Sequence, residues 1–170
     1  MVILDTDHLT VIQRQSHPIF SFLSARLRHL PPIEICTTII NVEEQMRGWL
    51  AVIRRSKRLQ QEITGYRQLH ALLSFFAEIP VLNFDEPAAE QLLRLRRSRI
   101  RLGSMDLKIA AIALSREATL LSRNLADFRR VPELNVEETG RKANSTHLPS
   151  PTKINGAQKY GCEVEMEVGS

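Results

Sequence analysis

Apolar positions in this chain fall into two patterns. Some are short, strand-like runs: "VIL" at 2–4, "IEIC" at 33–36, "IPVLNF" at 79–84 and "ATLLS" at 118–122, with "LNVEE" at 134–138 a candidate fifth. Others recur at helical spacing. From about Thr38 to Arg55 one face carries Ile39, Val42, Met46, Trp49 and Ile53, three and four residues apart as a helix requires. Further helices are expected from Asp7, from Pro18 toward Leu30 (where Pro31-Pro32 stops the chain), and from Lys57 to Phe76. Asp85-Glu86-Pro87 opens another with proline in its first turn, and Gly103-Ser104 opens one reaching Ser115. Short apolar strands separated by helices predict a parallel sheet covered on both faces. The expected fold is α/β, a central mostly parallel sheet of four to five short strands flanked by helices.

This pattern holds over residues 1–138. From about Gly140 the chain is rich in Pro, Ser, Thr, Asn and Gly without a sustained apolar face. Residues 139–170 are therefore expected to form a flexible tail, with a short extended piece at "CEVEMEV". With 170 residues, 43% of them hydrophobic, the chain can bury one core. The apolar runs are too short to span a bilayer, so no membrane role is expected. The first residues lack a basic segment followed by an apolar stretch and cleavage site, and no signal peptide is expected. Cys36 and Cys162 lie far apart, which argues against a disulfide framework or a cysteine zinc site and fits a cytoplasmic protein.

The formal net charge of +4 is unevenly placed: Arg54, Arg55, Lys57 and Arg58 form one group, and Arg94, Arg96, Arg97, Arg99 and Arg101 another. Clustered arginine suits phosphate because its planar fork binds oxyanions in pairs. Two solvated helix faces would read the same.

The acidic residues change the picture more. Ligands of open parallel sheets sit beyond the carboxyl ends of the strands. Asp5 stands there after the first strand, Asn124 and Asp127 follow the fourth, Asp106 lies in the first turn of the helix opened by Gly103-Ser104, and Glu44 lies early in the helix after the second. Each has a plain local reading. Asp5 and Asp106 suit helix starts, Asn41 and Glu44 have the spacing of a capping box, and Asp127 suits a turn. Together they would place four carboxylates and an amide on one edge, where like charges repel unless a cation sits among them. Oxygen donors in this number suit Mg²⁺ or Mn²⁺ rather than zinc. Such an ion can activate water and hold a phosphate oxygen.

With these residues in view, the chain resembles the PIN-domain ribonucleases, specifically the VapC-type toxins of toxin–antitoxin pairs. The resemblance is carried by "ILDTD" at the start, "TTIINVEEQMRG" at 37–48, "LGSMDLKIAAIAL" at 102–114 and "LLSRNLADFRRVPEL" at 120–134. It implies a Mg²⁺-dependent ribonuclease, with Mn²⁺ as a substitute, in which Asp5 and Asp106 are the main metal ligands. Glu44 matches the family's acidic residue four positions before a glycine, here Gly48, with Glu43 as its rival. The fourth acidic position is shared between the sites matching Asn124 and Asp127. Asn124 is expected to shape the site, and Asp127 to complete its charge as a further metal ligand. The resemblance also implies an RNA substrate, a cognate antitoxin and a homodimer. The apolar residues of 39–53 and the helix after them are candidate partner surfaces, although core is the plainer reading, for Trp49 above all.

Two other readings compete. A strand followed by D-x-D also begins haloacid-dehalogenase-type phosphatases, with Asp5 as nucleophile, but Leu9 stands where that motif wants Thr or Val and no downstream Lys or Gly-Asp pair follows. A catalytically inactive PIN-like RNA- or protein-binding domain would keep the fold, and Asn124 is its sole support. Among the smaller features, the Thr6 hydroxyl is placed to bond a neighbouring carboxylate or a metal-bound water, or to cap the first helix, and Asp7 is assigned a capping role. The five histidines show no paired ligand spacing, and His8 reads as a helix-surface residue. Neither cysteine reads as a nucleophile.

Overall fold

In the computed structural model, which describes residues 1–15 and 18–139, the five strands are short, and the three central ones are the most buried. β1 (Val2–Leu4) is wholly buried, and its residues alternate between two cores. After it come α1 (Thr6–Arg14), α2 (Phe20–Leu27), β2 (Ile35–Thr38), α3 (Ile39–Arg55), α4 (Leu59–Ala77), β3 (Val81–Leu82), α5 (Glu86–Arg97), α6 (Ser104–Ser115), β4 (Thr119–Leu121), α7 (Leu125–Phe128) and β5 (Val136–Glu137). All pairings are parallel, in the order β3-β2-β1-β4-β5. The chain builds outward from β1 to one side through β2 and β3, then crosses back to lay β4 and β5 on the other. That reversal opens a crevice beside the carboxyl ends of β1 and β4, where parallel sheets hold ligands.

One core packs Ile3 and Leu120 under α5 and α6. The other packs Val2, Leu4 and Leu121 against α1, α2 and the α3–α4 pair. In α6 Leu107 and the run Ile109–Ala113 are buried, which makes it the central helix of its layer. Its small residues let it lie close to the sheet. No helix among the described residues is long and apolar enough to cross a membrane.

Several details differ from the sequence expectations. Pro32–Glu34 form a 3₁₀ turn, so β2 starts later than 33 and takes in Thr37 and Thr38. Their β-branched side chains suit a strand, and the Thr37 hydroxyl donates to the Leu4 carbonyl at 3.0 Å. The capping box at the start of α3 joins Thr38 and Asn41 rather than Asn41 and Glu44. Ile39 is exposed while Ile40 is buried, because the helix presents 40–42 to the interior at its first turn. Trp49 is half-buried at the edge of the second core. His8 is not on the surface: it is fully buried, one turn past Asp5. Burial pushes its imidazole pKa down, against the opposing pull of Asp5 and Asp7. The expected extended piece at "CEVEMEV", and the rest of the chain after residue 139, lie outside the described residues.

Candidate active site

Asp5 follows β1 directly, is buried, and caps α1 by accepting the Thr6 backbone N–H at 2.8 Å. The local reading of this residue is thus correct, and the cap uses only part of the carboxylate's capacity to accept hydrogen bonds. Two more donors fix it: Asn41 Nδ2 reaches the same oxygen, Oδ1, at 3.0 Å, and Ser122 Oγ donates to Oδ2 at 2.6 Å. Ser122 also accepts the Asn124 backbone N–H at 3.0 Å, so one hydroxyl ties the loop after β4 to Asp5.

Thr6 is the first residue of α1 rather than its cap. Its hydroxyl donates to Glu44 Oε2 at 2.7 Å and accepts from Asn41 Nδ2 at 3.0 Å. Glu44, half-buried in the second turn of α3, is therefore aimed at the same edge. Glu43 is exposed and pairs with Arg47 at 3.4 Å, four residues on along the helix. The arrangement brings in Glu44, not Glu43. Asp7 is exposed in the first turn of α1, apart from this network, where a phosphatase of the D-x-D type would need its second acid.

Asp106 is the third residue of α6 and half-buried. Its pKa is pushed up from an ordinary 3.8 to about 6, first by burial and then by Asp5, Glu44 and Asp127. Four carboxylates from four separate segments thus share one electrostatic neighbourhood. Asp127, in α7, pairs its Oδ1 with Arg130 at 3.2 Å, so part of its charge is already met. Asn124 stands at the start of α7, half-buried, and its side chain makes no capping hydrogen bond.

The donor set fits a hard divalent cation. Every side-chain donor is an oxygen, and the Asp106 carboxyl is pushed up by burial first and by the three neighbouring carboxylates after it. Among the described residues no three His, Cys, Asp or Glu side chains converge into a ready cage. Oxygen donors of this kind would suit a hard cation such as Mg²⁺ that keeps several of its waters.

Residues 2–134 match the family model described as PIN domain. The chain belongs to the PIN-domain family. Solved structures agree on the PIN fold. A chain of DNA-bound VapBC from Salmonella typhimurium is 22% identical, with 82% of this chain and 98% of that one covered and a TM-score of 0.64. A chain of FitAB bound to an IR36 DNA fragment is 21% identical, with coverage of 85% and 100% and a TM-score of 0.63. A chain of a toxin–antitoxin complex from Klebsiella pneumoniae is 20% identical, with coverage of 79% and 95% and a TM-score of 0.56. No curated protein matches the chain.

Two residues of this PIN domain's acidic edge were missed by sequence reasoning. Ser122 ends the strand-like run 118–122 and drew no role there. Asn41 reads as half of a capping box, and Thr-x-x-Asn at 38–41 was the available signal for it. Neither spacing tells that the side chains turn toward Asp5.

Proposed function

We propose that this chain is a metal-dependent endoribonuclease, the toxin of a toxin–antitoxin pair, acting in the cytoplasm with Mg²⁺ or, in its place, Mn²⁺. The observation that carries the reading is Asp106: a half-buried carboxylate held near a pKa of 6 by burial and by Asp5, Glu44 and Asp127 at the carboxyl edge of the sheet. An antitoxin partner is supported by the toxin–antitoxin complexes among the fold neighbours. The exposed Leu50, Val52, Leu59, Tyr66 and Leu73 of α3 and α4 support a macromolecular partner, and a homodimer is proposed with it.

Asp5 and Asp106 would hold the cation, with Glu44 and Asp127 adding charge around it. When bound, the ion supplies Lewis acidity toward a phosphate oxygen and acidifies water. The chain's own residues do the rest. Asn41, Thr6 and Ser122 fix Asp5 and Glu44 so that neither must reorganise as charge develops. Asp106 or Glu44 would orient an attacking water beside the cation.

The test is cleavage of a mixed cellular RNA pool by purified full-length protein in Mg²⁺, Mn²⁺ and EDTA, wild type beside Asp5→Asn and Asp106→Asn. Cutting that needs a divalent ion and is lost in both folded variants is expected. Cutting that persists in the variants would place the chemistry elsewhere. No cutting by folded protein free of antitoxin would move the assignment to a PIN-like binding domain.

A further inference from the structure

The chain's two basic clusters are separated by the fold. Arg54 and Arg55 close α3, ten and eleven residues beyond Glu44, which at the helical rise sets them roughly 15 Å from it along the axis. Arg99 and Arg101 lie between α5 and α6, on a loop that runs into the carboxylates: Gly103 packs so near Asp106 that a Cβ there would sit 3.4 Å from Oδ2. Arg130 ties this loop to the other side of the crevice, donating to the Arg101 carbonyl at 3.3 Å while pairing with Asp127. The ion pair of Arg94 with Glu133 joins α5 to the turn after α7. Arg123 stands between Ser122 and Asn124 on the loop above β4.

Arg99, Arg101, Arg123 and Arg129 are all exposed, and none has an acidic partner among the described residues. Unpaired guanidinium groups beside a carboxylate cluster are suited to hold a polyanion that the carboxylates alone would repel. Asp5 is buried and Asp106 half-buried, so a phosphate must come down to the sheet edge. A flexible single strand can do so more readily than a stiff duplex. Resting on the nuclease reading, we propose that Arg99, Arg101, Arg123 and Arg129 form the track along which a single-stranded RNA backbone reaches the acidic edge. The Arg54–Arg58 cluster takes no part in it.

Arg99 makes the test clean. Its φ of 52° lies in the left-handed region, which glycine adopts freely and other residues at a cost of about 1 kcal/mol. Arg99→Gly therefore removes the charge without straining the fold. Binding of a fluorescent single-stranded RNA is measured by anisotropy across a salt series, in EDTA and in Ca²⁺, so that binding is read apart from cutting. The full-length proteins compared are wild type, Arg99→Gly/Arg101→Gln and Arg54→Gln/Arg55→Gln. Each lost phosphate contact lowers the salt slope by about 0.7, so the first double variant should lose about 1.4 while its melting temperature stays at or above that of wild type. The second should bind as wild type does. An unchanged slope in the first variant, an equal loss in the second, or no binding by wild type overturns the track. Weakened binding by a protein that never cuts would keep the track and remove the nuclease reading; cutting with unchanged binding would do the reverse.

Discussion

Asn41 directs both protons of one buried amide at the acidic edge, to Asp5 Oδ1 and to Thr6 Oγ1, each at 3.0 Å. Its carbonyl oxygen is held from behind by the Thr38 hydroxyl at 2.5 Å and the Thr38 N–H at 3.3 Å, which fixes which end of the amide faces the carboxylate. Because the Thr6 hydroxyl in turn donates a hydrogen bond to Glu44, one side chain sets the orientation of two acids on different elements. Asn41→Ala should cost about 1–3 kcal/mol of stability by leaving buried partners unmet. It should also weaken Mn²⁺ binding about 10- to 100-fold in calorimetry, the usual effect of removing a group that orients a ligand. An alanine variant with the affinity of wild type would reduce Asn41 to a helix cap.

At the scale of elements, the α3–α4 pair carries Glu44 at one end, and its spacing depends on a glycine. A Cβ on Gly65 would come 2.6 Å from Ile53 Cγ1, so the helices touch where no side chain fits. Gly48, on the facing helix, has open space within 4 Å of where a Cβ would stand. Alanine in a helix interior is favoured over glycine by about 1 kcal/mol, and the two sites should therefore part. Gly48→Ala is expected to gain up to about 1 kcal/mol in urea unfolding. Gly65→Ala is expected to lose about 1–2 kcal/mol through overpacking, with part recovered when Ile53→Ala is added. Equal effects at the two glycines would mean that the helices separate without cost.

For the whole molecule, the acidic edge sets a pH dependence of stability. A carboxylate with a raised pKa keeps a proton in the native state that the unfolded chain releases, so stability falls as pH rises between 3.8 and about 6, and the deficit persists above. His8, buried and with its pKa lowered, acts oppositely, its deficit growing as pH falls through 6.5, but it is common to wild type and to an Asp106 variant. In EDTA the melting temperature of Asp106→Asn should exceed that of wild type by a margin that grows from pH 4 to 6 and is flat above. At pH 7.5 Mg²⁺ should raise the melting temperature of wild type and not that of the variant, since a ligand stabilises only the state that binds it. A margin independent of pH would mean that neither burial nor the neighbouring carboxylates raise the Asp106 pKa.

What the sequence determined by itself is the part written in local order. Runs such as "VIL" and "ATLLS" are apolar on both faces, which makes a parallel sheet under helices the economical solution, and Asp85-Glu86-Pro87 and Gly103-Ser104 mark helix starts through backbone chemistry alone. The placing of Asp5, Asp106, Glu44 and Asp127 near strand and helix ends could be read the same way. What tertiary structure decided depends on groups far apart in the chain. Ser122 meets Asp5 because β4 pairs with β1, 117 residues along. Glu44 rather than Glu43 turns inward because Thr6 waits 38 residues away to bond it. His8 passed for a surface residue because helical spacing shows which residues share a face, not which face the rest of the molecule will cover.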